Sequence, residues 1–117
     1  MLNLDEEFKI LIKKAASKKR EELPNSGWVK HTLESALWAV LTTNTFEDAV
    51  VQAVNLGNDA DTTGSVAGAL AGALYGINAI PQRWANQLRG VYPSNSYRLW
   101  HASDLVLLAD RLSLHNE

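Results

Sequence analysis

The sequence predicts an all-α protein, and three observations predict it. Apolar residues recur at helical spacing over most of the chain, no segment alternates convincingly as a strand would, and the breaks between periodic segments are rich in Pro, Gly, Asn and Ser. With 117 residues, 46% of them hydrophobic and 21% charged, the chain reads as a single domain able to bury a core, not as a disordered polyelectrolyte. A formal net charge of −2 carries no signature of a nucleic-acid or membrane-surface binder. The absence of cysteine excludes disulfides, thiolate metal sites and cysteine nucleophiles, and agrees with an expected cytoplasmic location. The acidic start, Met1 to Glu7, does not resemble a secretory signal.

Taken in order, the first helix is expected from Leu4 to Glu22, ending at Leu23-Pro24-Asn25-Ser26-Gly27. One side carries Leu4, Phe8, Leu11, Ile12 and Ala15; Lys13, Lys14, Lys18, Lys19 and Arg20 form its wet side. Residues 1–23 are thus a basic amphipathic helix preceding a helical core over 24–114. A second helix runs from Lys30 to Thr42, with Leu33, Leu37, Val40 and Leu41 inward and Ala36 and Trp38 widening the apolar arc. Thr45, with Asp48 three positions on, is placed to cap a third helix that presents Phe46, Ala49, Val50, Ala53 and Val54 and stops at Gly57.

The fourth helix, Thr62 to Tyr75, carries Gly64, Gly68 and Gly72, and Gly76 follows it. Residues four apart share a helix face, and each interior glycine costs about 0.5–1 kcal/mol relative to alanine. That cost fits a central helix approached closely by a neighbour. The uncharged run 62–80 nears membrane-spanning length, but its glycines and polar residues favour a packed helix of a soluble protein. Pro81 opens a fifth helix with Trp84 and Leu88, ending by Gly90; a last helix spans Tyr97 to Leu114, with Leu99, Trp100, Leu105, Leu108 and Leu112 as expected core.

Chemistry concentrates in Gly57-Asn58-Asp59-Ala60-Asp61-Thr62, between the third and fourth helices. Two carboxylates one residue apart, followed by a hydroxyl, offer the oxygen donors that Mg2+, Mn2+ or Ca2+ prefers. The same residues equally suit a helix N-cap, with Asp61 or Thr62 holding a backbone N–H. Both readings stand on the residues alone. The segment lacks the loop glycine and the closing glutamate of an EF-hand.

The run from Gly57 to Gly72, then Tyr75-Gly76, Ile80-Pro81 and Trp84, resembles the ADP-ribosylglycohydrolase family. Upstream, Ser26-Gly27-Trp28-Val29, Thr32-Leu33-Glu34-Ser35-Ala36-Leu37-Trp38 and Phe46-Glu47-Asp48-Ala49-Val50 resemble it too, so that the likeness covers residues 24 to 112. It is a likeness to the family's carboxy-terminal portion. It implies a compact orthogonal helical bundle and a hydrolase that uses Mg2+, or Mn2+, to cleave an N- or O-glycosidic bond of ADP-ribose. By position, Asp59, Asp61 and Thr62 would be metal ligands, and Gly27, Trp28, Gly57 and Asn58 would line the substrate cleft. The family's amino-terminal elements, a glycine-rich helix with an acid and a Thr-Asp-Asp-type motif, find no counterpart, so a homo-oligomer or a complementary chain is expected to complete the site. The alternative is a truncated, inactive relative acting as a binding or structural oligomer. A third reading uses Lys13 to Arg20 to hold an acidic partner.

Other reactive side chains form no constellation. Glu34 is expected to cap helix two or pair with Lys30 or His31. His31, His101 and His115 are too dispersed for a ligand triad, and Ser65 lies within a helix with no nucleophile elbow. The aromatic residues are expected mainly in the core, with Trp28 as the one nearest a substrate.

Overall fold

A computed structural model describes residues 4–23, 29–57 and 59–114 of the chain. Residues 1–80 form one unit and residues 81–117 another.

Among its described residues the first unit holds four α-helices. Helix α1, Leu4–Ala15, has Asp5, Glu6 and Glu7 in its first turn and Lys13 and Lys14 in its last, each sign placed favourably against the helix dipole. It stops well short of the expected Glu22, and the reason is long-range. The Ser17 hydroxyl donates to the Lys14 carbonyl at 2.9 Å, after which a 3-10 turn, Arg20–Glu22, replaces the helix. The Lys18 ammonium pairs with Glu34, and the Lys18 carbonyl accepts the Trp38 indole N–H at 3.0 Å. Arg20 donates to the Asn55 carbonyl at 2.6 Å. Lys18 and Arg20 are therefore structural ties and not members of a purely wet face. Glu34 pairs with Lys18 where Lys30 or His31 was expected, while Lys30 pairs with Glu7 at 2.7 Å.

Helix α2, Val29–Leu41, packs against α1 and against two further helices, α3 (Phe46–Asn55) and α4 (Ala60–Tyr75), which also pack on each other. The shared core is built from small residues: Ala36 and Ala39 from α2, Ala49 and Ala53 from α3, and Ala67 and Ala71 from α4, closed by Trp38, Val40 and Phe46. Small side chains let the helix axes approach, which is why the bulkier residues expected inside move outward. Leu33 and Leu37 are half-buried, and Leu41 and Val54 are exposed.

Thr45 caps α3 as its position predicts, its hydroxyl accepting the Asp48 N–H at 3.0 Å. At Gly64, a Cβ would meet Val54 Cγ2 at 2.8 Å, so this position is held to glycine by close approach of α3. Gly68 has nothing within 4 Å of such a Cβ, and the buried line of α4 runs through Thr63, Ala67 and Ala71 instead. The glycine repeat is thus one tight contact and not a continuous stripe. Among the described residues no helix is long and apolar enough to cross a membrane.

The second unit departs further from expectation. Helix α5 is a single turn, Gln82–Ala85, and strand β1, Arg89–Val91, pairs antiparallel with β2, Leu99–His101. The cross-strand partners are Arg89 with His101, Gly90 with Trp100 and Val91 with Leu99. The connecting loop folds on itself, with Ser96 N–H to the Pro93 carbonyl at 2.9 Å and the Trp100 indole donating to the Tyr92 carbonyl at 2.9 Å. Arg98 lies 4.0 Å over the Trp100 ring. Helix α6, Ala102–Leu114, therefore begins later than Tyr97. Its start is closed by the Asp104 carboxylate, which accepts the His101 N–H at 2.9 Å. Leu99, Trp100, Leu105, Leu108 and Leu112 are exposed or half-buried, not core. The chain is thus mostly helical, as predicted, with a short two-stranded ribbon added.

Candidate functional site

The turn joining α3 to α4 is built by backbone demands before any side-chain chemistry. After the Gly57 N–H bonds the Val54 carbonyl at 3.1 Å, Gly57 adopts φ +83°, a conformation that side chains disfavour, and the chain reverses into α4. Nothing lies within 4 Å of where its Cβ would stand, so the requirement there is conformational. Asp59 occupies the N-cap position of α4, and its carbonyl accepts the Thr63 N–H at 3.0 Å.

The Asp59 side chain makes no capping bond to a backbone N–H. It accepts instead the Thr62 hydroxyl, Oγ1 to Oδ1, at 2.8 Å. Asp61 lies exposed in the first turn, where the helix dipole favours its negative charge; its carbonyl accepts the Ser65 hydroxyl at 2.8 Å. Two hard oxygen donors, Asp59 and Thr62, are thus brought together at the head of α4 with a second carboxylate close in sequence. In kind this donor set suits a hard divalent cation; in number it supplies three donor groups where such ions take six or more ligands. Among the described residues no group of three or more His, Asp or Glu side chains assembles to hold a metal.

Of the other residues singled out by sequence, Gly27, Trp28, Asn58 and His115 lie outside the described residues. Glu34 is buried and engaged by Lys18. His101 is exposed on β2, Ser65 is turned back onto its own helix, and Trp84 lies beside Arg83, 5.4 Å from guanidinium to ring centre. Sequence reasoning missed Arg20, whose guanidinium sits on the last carbonyl of α3, two residues before Gly57. Such a long-range bond leaves little local trace; the serine at position 17, able to unseat the preceding turn, is the signal that precedes it.

Comparison with known proteins adds ancestry to this geometry. The family model described as ADP-ribosylglycohydrolase matches residues 3–117. The chain is 51% identical over 71 residues to the ADP-ribosylarginine hydrolase Tri1 of Serratia proteamaculans, covering 61% of this chain and 19% of that protein. It is 44% identical over 64 residues to the ADP-ribosyl-[dinitrogen reductase] glycohydrolase of Rhodospirillum rubrum, covering 55% of this chain and 22% of that protein. It is 36% identical over 47 residues to human ADP-ribosylhydrolase ARH3, covering 40% and 13% respectively. The chain spans about a fifth of the length of the first two relatives. With the family match extending over nearly all of its residues, this chain belongs to the ADP-ribosylglycohydrolase family.

Proposed function

We propose that this chain carries part of a divalent-metal site for hydrolysis of an ADP-ribose N- or O-glycosidic bond, and that it corresponds to the carboxy-terminal portion of the family's domain. The observation that carries the reading is the 2.8 Å contact of Thr62 with Asp59 at the head of α4, beside Asp61. Asp59, Asp61 and Thr62 would hold Mg2+ or Mn2+ as ligands. When bound, the cation supplies electrostatic activation of ribose hydroxyls and of a water at the anomeric carbon. Gly57 reverses the chain so that both carboxylates stand at one helix end, and the free N–H groups of that end suit a pyrophosphate. Gly27, Trp28, Gly57 and Asn58 would line the ADP-ribose cleft. The ADP-ribosylarginine activity in the name of the Serratia relative favours an arginine adduct as substrate. The remaining ligands would come from polypeptide beyond these residues, or from a second or complementary chain.

Calorimetric titration with Mn2+ tests the metal site. The wild-type chain is expected to bind, D59A and D61A to lose at least tenfold in affinity, and equal affinity in all three overturns the reading. Release of ADP-ribose from an ADP-ribosylarginine peptide is then expected only when the missing ligands are supplied. The count of only three donor groups favours a second reading, in which the chain is an inactive relative with a binding or structural role. That reading predicts no turnover under any condition that restores metal binding.

A further inference from the structure

The carboxyl end of α3 is held by a residue from another part of the chain. The helix carries Glu47 and Asp48 in its first turn but no basic residue in its last. A helix end leaves its final carbonyls without intrahelical partners and carries the negative end of the dipole, so a cationic donor is favoured there. The Ala53 and Val54 carbonyls take the Leu56 and Gly57 N–H groups at 3.4 and 3.1 Å. The next carbonyl, that of Asn55, takes the Arg20 guanidinium at 2.6 Å, across 35 residues of sequence.

That guanidinium is delivered by fixed backbone. Two residues earlier, Lys18 is tied to α2 twice, its ammonium paired with Glu34 and its carbonyl accepting the Trp38 indole N–H at 3.0 Å. One residue earlier, the Lys19 N–H donates to the Glu22 carboxylate at 3.0 Å, closing the 3-10 turn Arg20–Glu22. Held in this way, Arg20 loses less conformational freedom in reaching Asn55 than a side chain on an untethered segment would.

The far side of the α3–α4 turn is fixed too. Val54 lies so close to Gly64 that a Cβ there would stand 2.8 Å from Val54 Cγ2. Gly64 is two residues beyond Thr62, so the end of α3 and the start of α4 bear directly on each other. Between these two fixed points lie Gly57, at φ +83°, and Asp59, which accepts the Thr62 hydroxyl at 2.8 Å. Glycine has many other conformations open to it, so the direction in which Asp59 leaves the turn depends on where the helix ends are held.

We infer that Arg20 is a positioning residue of this turn: it fixes the carboxyl end of α3 so that Asp59 and Thr62 present their oxygens together, without itself touching cation or substrate. Its consequence for a cation rests on the metal reading proposed above; the fixing of the turn does not.

Hydrogen exchange and Mn2+ calorimetry on the full chain separate the two. In metal-free R20A, the Gly57 and Thr63 amides, which donate to the Val54 and Asp59 carbonyls, should exchange about tenfold faster, the scale of one lost charge-assisted hydrogen bond. Amides inside α2, such as that of Ala39, should be unchanged. Affinity for Mn2+ should fall about three- to tenfold in R20A, and R20K, which keeps a cationic donor, should recover part of both losses. K19A removes the same charge one residue away and should leave both readouts at the wild-type level. Unchanged exchange at Gly57 and Thr63 in R20A overturns the positioning role, as does an equal effect of K19A. Faster exchange throughout α2 overturns it as well, since Arg20 would then support the fold and not the turn. So does an unaltered Mn2+ affinity in R20A where D59A loses its own. Faster exchange confined to the turn, with Mn2+ affinity indifferent to D59A, overturns the metal reading and leaves the role of Arg20 in the turn supported.

Discussion

Residues 1–80 and residues 81–117 have comparable stores of apolar side chains but use them differently. In the first, α2, α3 and α4 converge on alanines with no exposed surface, and side chains reach across the chain to anchor backbone, as Arg20 does at Asn55 and Trp38 at Lys18. In the second, every described residue keeps some solvent contact, and bonds such as Trp100 to Tyr92, His101 to Asp104 and Ser96 to Pro93 are local. Small residues at the contact let helices close into a core without large side chains. Large leucines on one short helix and a ribbon cannot close on themselves. The difference teaches that apolar content does not by itself mark a core; the geometry that lets backbones approach does.

The largest test of that contrast is Trp38 against Leu107. Trp38→Ala removes the largest buried side chain among the described residues of the first unit and its bond to the Lys18 carbonyl, and should cost about 3–5 kcal/mol in urea unfolding. Leu107 is 58% exposed, so Leu107→Ala should change stability by less than about 0.5 kcal/mol in the same measurement. Equal losses at the two positions would erase the distinction between the units.

A middle-sized effect is expected at the ion pair that replaces the end of the predicted first helix. Glu34 is only 5% exposed while the Lys18 side chain is 30% exposed, so part of the pair is screened by solvent. Glu34→Ala should destabilise by roughly 1–3 kcal/mol, because it leaves a half-buried ammonium without its partner. A double-mutant cycle with Lys18→Met should show a coupling of about 1 kcal/mol, and a coupling near zero would mean that the tie rests on the Trp38 indole alone.

These ties explain what could be read from sequence. The Thr45 cap and the Gly57 stop are local, each decided by residues within three positions, and both are found where expected. The end of α1 is decided by Glu34, Trp38 and Asn55, far along the chain, and helical periodicity through Lys18 gives no warning of them. Strands of three residues, Arg89–Val91 and Leu99–His101, are too short for an alternating pattern to stand out from the helical one that follows. At the candidate site, the Asp-x-Asp-Thr spacing was legible because both carboxylates and the hydroxyl lie within one turn. That the Thr62 hydroxyl turns to Asp59 instead of to a backbone N–H was not, since both bonds are compatible with the same spacing.

The smallest effect separates the two roles that a repeated glycine can have on one helix. Gly68 lies in the interior of α4 with nothing within 4 Å of the point an added methyl would occupy, so Gly68→Ala should stabilise by about 0.5–1 kcal/mol through helix propensity alone. Gly64 has the same propensity to gain, but its Cβ would stand 2.8 Å from Val54 Cγ2. Val54 is branched at Cβ and restricted in χ1, so relief requires a rotamer change or a shift of α3. Gly64→Ala should therefore be neutral or destabilising by about 1 kcal/mol, and combining it with Val54→Ala should recover the gain seen at Gly68. Thermal melts of the three variants decide the matter. If Gly64→Ala stabilises as much as Gly68→Ala, the close approach of α3 and α4 does not constrain this position.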